Sequence, residues 1–237
     1  MSKLSLVFVP GQLSTARLWQ AQAADLSDAA EILVADQNRA DTIEGIAADV
    51  LTQAPARFVL AAHGMGGFVA FAIMRQAPER VRALALFDTF APADTEAQVV
   101  RRRRYLDLVA AGQFEAVIAE RVPTVVHPSR LNDPAIADTV RQMARDTGPE
   151  TFARQTRAIM TRPDSRPTLA TIKCPTVLVW GRQDGMATQA QQLELLNGIA
   201  GSWLETLEDT GHFTTLERPR ETTQALRALL ANAREKV

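Results

Sequence analysis

Apolar residues in this chain form two alternating patterns, short continuous runs and longer stretches in which apolar and polar positions mix. A short apolar run between turn residues is typical of a buried strand, and a longer mixed stretch is typical of a helix. The predicted strands are residues 4–9, 31–35, 58–62, 81–87, 176–180 and 203–207. The helices predicted between them are residues 14–25, 43–53, 65–76, 188–197 and 219–231. Because strands and helices alternate, the pattern predicts a parallel sheet with helices on both faces.

The alternation is interrupted once, between residues 91 and 169, where no strand pattern occurs. The helical patterns of this stretch are residues 95–111, 113–121, 134–146 and 149–161. We interpret the stretch as a helical cap inserted between two strands. The prediction is therefore an α/β fold, a doubly wound and mostly parallel sheet of about six strands with a helical cap insertion. Residues 1–90 and 170–237 would form the core and residues 91–169 the cap.

The most distinctive local pattern is a strand, a very tight turn and a helix within residues 58–76. Gly64, Gly66 and Gly67 follow the apolar run, and they permit a sharp turn and close packing of the next helix on the sheet. That helix is apolar nearly all round, so we expect it to be buried. The segment resembles the nucleophile elbow of the α/β-hydrolase family, in which a serine follows the strand in a G-x-S-x-G pattern.

The elbow differs from the family pattern at the position that matters most for chemistry. Residues 62–66 read Ala-His-Gly-Met-Gly, and the small Ala62 is an acceptable replacement for the first glycine of the pattern. Gly64, however, stands where the family has its nucleophilic serine. The interpretation of Gly64 therefore decides the functional prediction.

Three further motifs resemble the same family and occur in its order along the chain. Residues 181–184 (Gly-Arg-Gln-Asp) follow a strand where the family has the acid of its catalytic triad, and residues 209–212 (Asp-Thr-Gly-His) stand where it has the histidine. Residues 10–12 (Pro-Gly-Gln) are similar to its oxyanion-hole loop. In scale and cap style, the chain resembles small carboxylesterases and enol-lactonases, the pimeloyl-ester esterase type among them.

The resemblance implies an acid–base pair. His212 would act as the general base, because imidazole exchanges protons near neutral pH. Asp184 would orient His212 and stabilise its imidazolium form. The purely structural alternatives are that His212 is a capping residue in a loop and that Asp184 forms a turn. Asp88, at the end of another predicted strand, is the rival acid.

The resemblance also implies an oxyanion hole made by the backbone N–H groups of Gln12 and Met65. Gly11 and Leu13, which flank Gln12, would contact the substrate. His63 precedes the elbow, and we expect it to pack beside the site rather than react. No group of histidine, cysteine and acidic residues has the spacing of a metal site, and no cofactor is expected.

Three readings of Gly64 remain open at this level. The first is an esterase of the serine type whose nucleophile has been replaced on purpose by glycine, so that the inactive protein holds a substrate or product. The second is a natural ligand-binding protein without catalysis on the same fold. The third is an enzyme in which His212 and Asp184 act without a serine. The first would cleave a carboxylic ester by acyl transfer once a serine stood at position 64.

Composition narrows the setting without changing the fold prediction. The 237 residues, 46% hydrophobic, suit one core with an insertion, and a net charge of −1 gives no bulk attraction to nucleic acid or to anionic membranes. The single cysteine, Cys174, excludes an internal disulfide and is compatible with a reducing cytosol. The apolar run near the N-terminus is too short for a signal peptide, so we expect a cytoplasmic protein.

A run of four arginines, Arg101–Arg104, is the most visible charge feature. Four consecutive helical residues point in all directions, so a solvated helix surface is the simple interpretation. The functional alternative is that one or two of them meet an anionic ester substrate or an acidic carrier protein. Arg154, Arg157 and Arg162 are further candidates for facing the pocket.

Overall fold

The computed structural model describes residues 3–235, and its described residues contain a six-stranded sheet in which all paired strands are parallel. The strands are β1 (Leu4–Val9), β2 (Ala30–Val34), β3 (Phe58–His63), β4 (Val81–Phe87), β5 (Thr176–Gly181) and β6 (Trp203–Leu207). Their order across the sheet is β2-β1-β3-β4-β5-β6. The predicted α/β class and the six-stranded parallel sheet are confirmed.

Helices cover the sheet and also occupy the segment between β4 and β5. They are α1 (Gln20–Asp25), α2 (Ile43–Gln53), α3 (Met65–Gln76), α4 (Glu96–Ala110), α5 (Phe114–Val125), α6 (Pro134–Met160), α7 (Arg166–Leu169), α8 (Gln189–Gly198), α9 (Thr214–Glu217) and α10 (Pro219–Glu235). Short 3-10 turns lie at Ala16–Trp19, Pro78–Arg80 and Pro128–Arg130. Among the described residues, no helix is both long enough and apolar enough to cross a membrane.

Helix boundaries differ from the sequence pattern in a few places. The predicted helix 14–25 is divided into the 3-10 turn Ala16–Trp19 and α1. α6 spans both predicted helices 134–146 and 149–161, with a kink at Gly148, whose φ of 77° and ψ of 164° are not helical. α7 and α9 escaped prediction because four residues are too few to show a helical period.

The apolar strand pattern reflects burial on both faces of the sheet. Leu6 and Phe8 of β1 lie in the apolar layer that includes the buried face of α10, and Val7 and Val9 lie in the layer that includes α2 and α3. All four side chains are fully buried. A parallel strand between two helical layers has no polar face, and this is why its sequence reads as a continuous apolar run.

Helix α3 approaches β1 so closely that one of its positions requires glycine. A Cβ atom added to Gly66 would lie 2.4 Å from the carbonyl oxygen of Val9. Any larger residue would therefore push α3 away from the sheet, and with it the turn that precedes α3. The glycines after β3 thus serve helix packing as well as the turn, as the sequence pattern predicts.

The segment between β4 and β5 holds helices and no strand within the described chain. α4, α5 and α6 pack against one another, and α5 reaches the loop after β6, where the carbonyl of Val125 accepts the His212 N–H at 2.9 Å. We propose that residues 91–169 act as a cap over the carboxyl edge of the sheet.

A buried ion cluster fastens the start of this segment to the sheet layer. Asp94 accepts a hydrogen bond from Arg102 Nε at 2.6 Å and another from Arg162 Nη1 at 2.8 Å, and the three side chains are at most 6% exposed. The Arg162 guanidinium also stacks over the ring of Phe68 in α3, 4.0 Å from its centroid. Burial alone would raise the pKa of Asp94, but the two arginines outweigh burial and hold it below its ordinary value.

Removing the shared carboxylate should destabilise the protein strongly. We expect Asp94→Ala to lower the free energy of unfolding by about 3–5 kcal/mol, because Arg102 and Arg162 would remain buried without their counter-ion. Urea denaturation measures the loss. Asp164→Ala is the matched control, since Asp164 pairs with Arg166 at the surface and should contribute less than about 1 kcal/mol. Equal losses in the two variants would contradict the assignment.

Candidate active site

The turn after β3 has the conformation that a nucleophile elbow needs. Gly64 has φ 53° and ψ −113°, a region that side chains rarely adopt, and its N–H donates to the carbonyl of Phe87 at 2.9 Å. α3 begins at the next residue, Met65. The turn lies at the carboxyl edge of the sheet beside β1, where the strand order reverses and where open α/β sheets bind ligands.

A histidine and a carboxylate lie directly beside this turn. His212 Nδ1 is 2.9 Å from Asp184 Oδ2, so the predicted hydrogen-bond contact is confirmed. A Cβ atom added to Gly64 would lie 3.2 Å from His212 Nε2, the ring nitrogen on the other side. The imidazole therefore stands between the carboxylate and the position where a side chain of residue 64 would begin.

The loop that carries His212 is held on several sides. Its backbone N–H donates to Val125 in α5, and its carbonyl oxygen lies 2.7 Å from His63 Nε2. The preceding Gly211 donates its N–H to both oxygens of the buried Glu217 at 3.2 Å. Burial raises the pKa of Glu217 above its ordinary value, although these N–H donors oppose the shift. The His212 ring is thus fixed through its backbone as well as through Asp184.

Asp88, the rival acid, has other partners. Its Oδ1 accepts the Gly181 N–H at 3.1 Å, and its Oδ2 accepts the Thr214 hydroxyl at 2.6 Å. Its closest histidine is His63, at 3.6 Å, rather than His212. Burial, followed by the charge of Asp184, raises the pKa of Asp88 well above its usual range. The geometry therefore favours Asp184 as the partner of His212, with Asp88 joining the ends of neighbouring strands.

His63 is a buried neutral histidine below the site. Its ring is 1% exposed, stacks on Phe213 and lies 4.9 Å from the His212 ring between centroids. With Nε2 donating to the carbonyl of His212, Nδ1 has no hydrogen-bond partner within the described residues. Burial, with a smaller contribution from His212, lowers the pKa of His63 to about 3.

The buried His63 should make stability depend on pH. In the unfolded chain it protonates near pH 6.5, but in the folded protein only near pH 3, so the unfolded state binds more protons between these values. Stability should consequently fall as the pH is lowered through this window. We expect the loss from pH 7 to pH 4 to be about 3 kcal/mol smaller in His63→Gln, measured by urea denaturation. His127→Gln is the control, and parallel profiles for the native chain and His63→Gln would contradict this account.

The loop after β1 is positioned by α6. Leu13, with φ 58°, donates its N–H to Gln155 Oε1 at 3.2 Å, and the Gln12 side chain donates to the Thr156 hydroxyl at 2.9 Å. Met65 is the first residue of α3, so its N–H has no acceptor within that helix. Gln12, Leu13 and Met65 all line the same cavity as His212. Gln12 and Met65, whose N–H groups are predicted to form the oxyanion hole, therefore both belong to the cavity wall, whereas the Leu13 N–H is already engaged by Gln155.

Gly11, which we also expected to contact the substrate, is not among the residues lining this cavity. A Cβ atom at Gly11 would lie 2.6 Å from His63 Nδ1, so the glycine allows the buried histidine to sit against the loop. Its carbonyl accepts a hydrogen bond from Gln37 Nε2 at 3.0 Å. A direct substrate contact by Gly11 remains a prediction.

The cavity between the turn and the helical segment is narrow and mainly apolar. The space open to the centres of water-sized groups is about 50 Å³. The apolar wall includes Ile118, Val122 and Val125 of α5, and two arginines, Arg102 and Arg121, interrupt it. The sequence analysis did not single out Arg121. The sequence feature that could have identified it is the helix face at positions 118, 121, 122 and 125, on which Arg121 is the one charged residue among apolar ones.

The arginine run is not the uniform surface charge that its sequence indicates. Arg102 is buried on Asp94, and Arg104 pairs with Glu120 at the surface. Arg101 and Arg103 are exposed. Arg162 belongs to the Asp94 cluster, whereas Arg154 and Arg157 line a separate surface depression and not the cavity beside His212.

Two other residues singled out in the sequence lie outside this chemistry. His127 Nδ1 is 2.7 Å from the Ser129 hydroxyl, and Cys174 is partly buried against the apolar core. Across residues 3–235, no cluster of three or more histidine, cysteine or acidic residues has the arrangement of a metal site.

A parallel sheet with a sharp turn and a histidine–carboxylate pair at its switch point defines the class of doubly wound α/β proteins with a hydrolase-like site. The chain belongs to the Alpha/beta hydrolase family, whose family model matches residues 6–225. The resemblance inferred from the elbow and the three accompanying motifs is thereby confirmed.

Curated relatives include 2-hydroxy-6-oxononadienedioate/2-hydroxy-6-oxononatrienedioate hydrolases of Escherichia coli. The protein of strain ED1a of serotype O81 is 29% identical over 191 residues, which cover 75% of this chain and 64% of the relative. The K12 protein is 30% identical over 175 residues, which cover 68% of this chain and 58% of the relative. The chain thus matches less than two thirds of the length of these relatives.

Solved structures match over nearly the whole chain. A thermophilic esterase from Thermogutta terrifontis is 27% identical with a TM-score of 0.89, and the match covers 98% of this chain and 91% of the esterase. The enol-lactonase from Burkholderia xenovorans LB400 is 25% identical with a TM-score of 0.89, covering 98% and 92%. These similarities support hydrolysis as the general activity of this family's site.

Proposed function

We propose that this site is built to cleave a carboxylic ester by acyl transfer and that Gly64 withholds the nucleophile of that reaction. The observation that carries the proposal is the position of His212 Nε2, 3.2 Å from where a side chain at position 64 would begin. His212 is at the same time hydrogen-bonded to Asp184 on its other nitrogen. This is the arrangement in which a base activates a hydroxyl and an acid orients the base.

The mechanism requires a hydroxyl at residue 64. His212 would take the proton of that hydroxyl while its oxygen attacks the ester carbonyl, and Asp184 would stabilise the resulting imidazolium. The N–H groups of Gln12 and Met65 would bind the carbonyl oxygen as it becomes negative. His212 would then protonate the departing alcohol, and water, activated by the same base, would release the acid. With glycine at position 64, the protein would bind the ester without forming an acyl-enzyme.

The comparisons support ester-like substrates without naming one for this chain. Among the similar structures, one is described as an esterase and another as an enol-lactonase, which opens a cyclic ester. The curated relatives are hydrolases of dioates. A small ester or lactone is accordingly the substrate class that we propose.

A covalent probe tests the machinery directly. A fluorophosphonate should label Gly64→Ser at one equivalent and should label neither the glycine chain nor Gly64→Ser/His212→Gln, because an unactivated serine is a weak nucleophile. Intact-protein mass spectrometry measures the labelling. If Gly64→Ser folds and remains unlabelled, or if labelling survives the loss of His212, the proposed acyl-transfer site is wrong.

A second candidate is hydrolysis without a serine. It is favoured by the open position at Gly64, which leaves His212 Nε2 facing the cavity and able to act on water. In that case the glycine chain itself would hydrolyse small esters, and His212→Gln would abolish the activity. If the glycine chain binds esters and does not hydrolyse them, the result would instead support the hypothesis of a ligand-binding protein without catalysis.

A further inference from the structure

Arg121 is a cation in the wall of the active-site cavity. It lies on α5 together with Ile118, Val122 and Val125, and these positions share one face of the helix. The same cavity reaches Gly64 and His212. Arg121 is therefore part of the space that a substrate would enter, and its neighbours on the helix are apolar.

Within residues 3–235, the side chain of Arg121 has no ion pair or hydrogen bond. The other arginines nearby differ, since Arg102 pairs with Asp94 and Arg104 with Glu120. Asp94 is itself shared with Arg162, so that cluster retains a net positive charge and offers no spare carboxylate. The cavity side of the cap is thus short of negative charge.

The environment of Arg121 makes an unpaired cation unfavourable. Burial, followed by repulsion from Arg102, lowers the pKa of Arg121 to about 10, so it stays protonated at neutral pH. Asp88 is the acidic residue in the described cavity wall, and its oxygens are engaged by Gly181 and Thr214. Cations in apolar surroundings are ordinarily paired. A bound anion would supply the missing partner.

We propose that Arg121 determines substrate specificity by binding a free carboxylate of the substrate. The substrate class would be a monoester or lactone of a short dicarboxylic acid, with one carboxyl group in the ester and the other on Arg121. A guanidinium suits this role because its planar donors bind carboxylate oxygens in pairs. The ester half of this inference rests on the proposed function, and the carboxylate half does not.

The spacing between the two ends follows from α5. The carbonyl of Val125 accepts the His212 N–H, so the end of α5 is fixed next to the base. Arg121 lies four residues earlier in the same helix, which corresponds to roughly 6 Å along its axis. A separation of a few bonds between carboxylate and ester carbonyl is therefore expected.

Glutarate binding tests the carboxylate half in the glycine chain, where no turnover is required. Isothermal titration calorimetry should show at least about tenfold weaker binding of glutarate to Arg121→Met than to the native chain. Arg103→Met is the matched control, since Arg103 is an exposed arginine of α4, and it should leave binding unchanged. Dimethyl glutarate, which lacks free carboxylates, should bind the native chain and Arg121→Met equally.

Thermal unfolding separates this role from a structural one. Without ligand, Arg121→Met should melt at the same temperature as the native chain or higher, because a half-buried cation without a partner has been removed. Glutarate should raise the melting temperature of the native chain and not that of the variant. Arg121→Lys, which keeps the charge and loses the paired donors, should bind with intermediate affinity.

The two proposals fail in different ways. If Gly64→Ser has no esterase activity and glutarate still binds through Arg121, the acyl-transfer function is wrong and the carboxylate site stands. If Gly64→Ser is active, the ratio of kcat/KM for mono-p-nitrophenyl glutarate to that for p-nitrophenyl butyrate should fall at least about tenfold on Arg121→Met. Glutarate binding that is absent from the native chain, or equal in the native chain and Arg121→Met, would overturn the inference.

Discussion

Replacing Gly64 by serine is expected to raise the turnover of p-nitrophenyl acetate at least about 10³-fold. Removing the nucleophile from a complete triad costs about 10⁶ in kcat in a serine protease, and the residual rate comes from the oxyanion hole and binding. Here the base and the acid are already aligned, with His212 Nδ1 2.9 Å from Asp184 and Nε2 facing position 64. Serine therefore adds the missing group to an assembled site.

The same replacement should lower stability slightly. Gly64 has φ 53°, where a side chain costs roughly 1 kcal/mol or more and glycine almost nothing. A loss of this size lowers the melting temperature by about 2–4 °C in a domain of this length. Gly64→Ala is the matched control, because it introduces the same backbone strain without a hydroxyl.

Activity and stability should thus separate in these two variants. Gly64→Ser and Gly64→Ala should melt at similar temperatures, both below the native chain, and only the serine variant should hydrolyse the ester. Differential scanning calorimetry and a steady-state assay on the same preparations measure both effects. A serine-type site would be ruled out if a folded Gly64→Ser hydrolysed esters, thioesters and lactones no faster than the glycine chain does.

In the Gly64→Ser background, Asp184→Asn is expected to lower kcat by about 10⁴-fold. In a serine protease, the corresponding change preserves the geometry but leaves the histidine in the wrong tautomer, and it has an effect of this size. Asp184 Oδ2 faces His212 Nδ1, and its Oδ1 accepts the N–H of Met186 at 2.7 Å. An asparagine would keep that second bond while losing the ability to orient a protonated imidazole.

Asp88→Asn in the same background is the matched control for this prediction. Asp88 is as buried as the Asp184 side chain, but it binds Gly181 and Thr214 rather than His212. Its replacement should therefore affect the free energy of unfolding more than the reaction. A larger loss of kcat in Asp88→Asn than in Asp184→Asn would show that Asp88 is the acid and that our choice is wrong.

The strands of the sheet and the helices beside them were predictable because each is indicated by the residues of its own short segment. The run 58–62 and the glycines after it predict a strand, a turn and a helix, and the structure has these elements at Phe58–His63 and Met65–Gln76. Residues 43–53 likewise form α2 as predicted. Strands buried on both faces leave a continuous apolar run, and such runs are visible without any knowledge of what packs on them.

The sequence motifs predicted which residues belong to the site, but they predicted only some of the contacts among those residues. The order of the elbow, Asp184 and His212 pointed to one site, but two strand-end acids remained candidates in the sequence. The choice between Asp184 and Asp88 depends on which of them faces His212, across distances of 28 and 124 residues in the chain. Spatial proximity of this kind is produced by strand order, which a single sequence does not encode locally.

The sequence by itself determined the fold class, the family and the absence of a side chain at the nucleophile position, because each is written in short stretches of residues. Only the tertiary structure decided which charges are paired. In the sequence, Arg102 is one of four consecutive arginines that suggest a solvated surface, but in the structure it is buried against Asp94. No sequence motif marks Arg121, yet it lies unpaired in the cavity wall. Pairing depends on burial and on partners brought together by packing, and these exist only once the chain has folded.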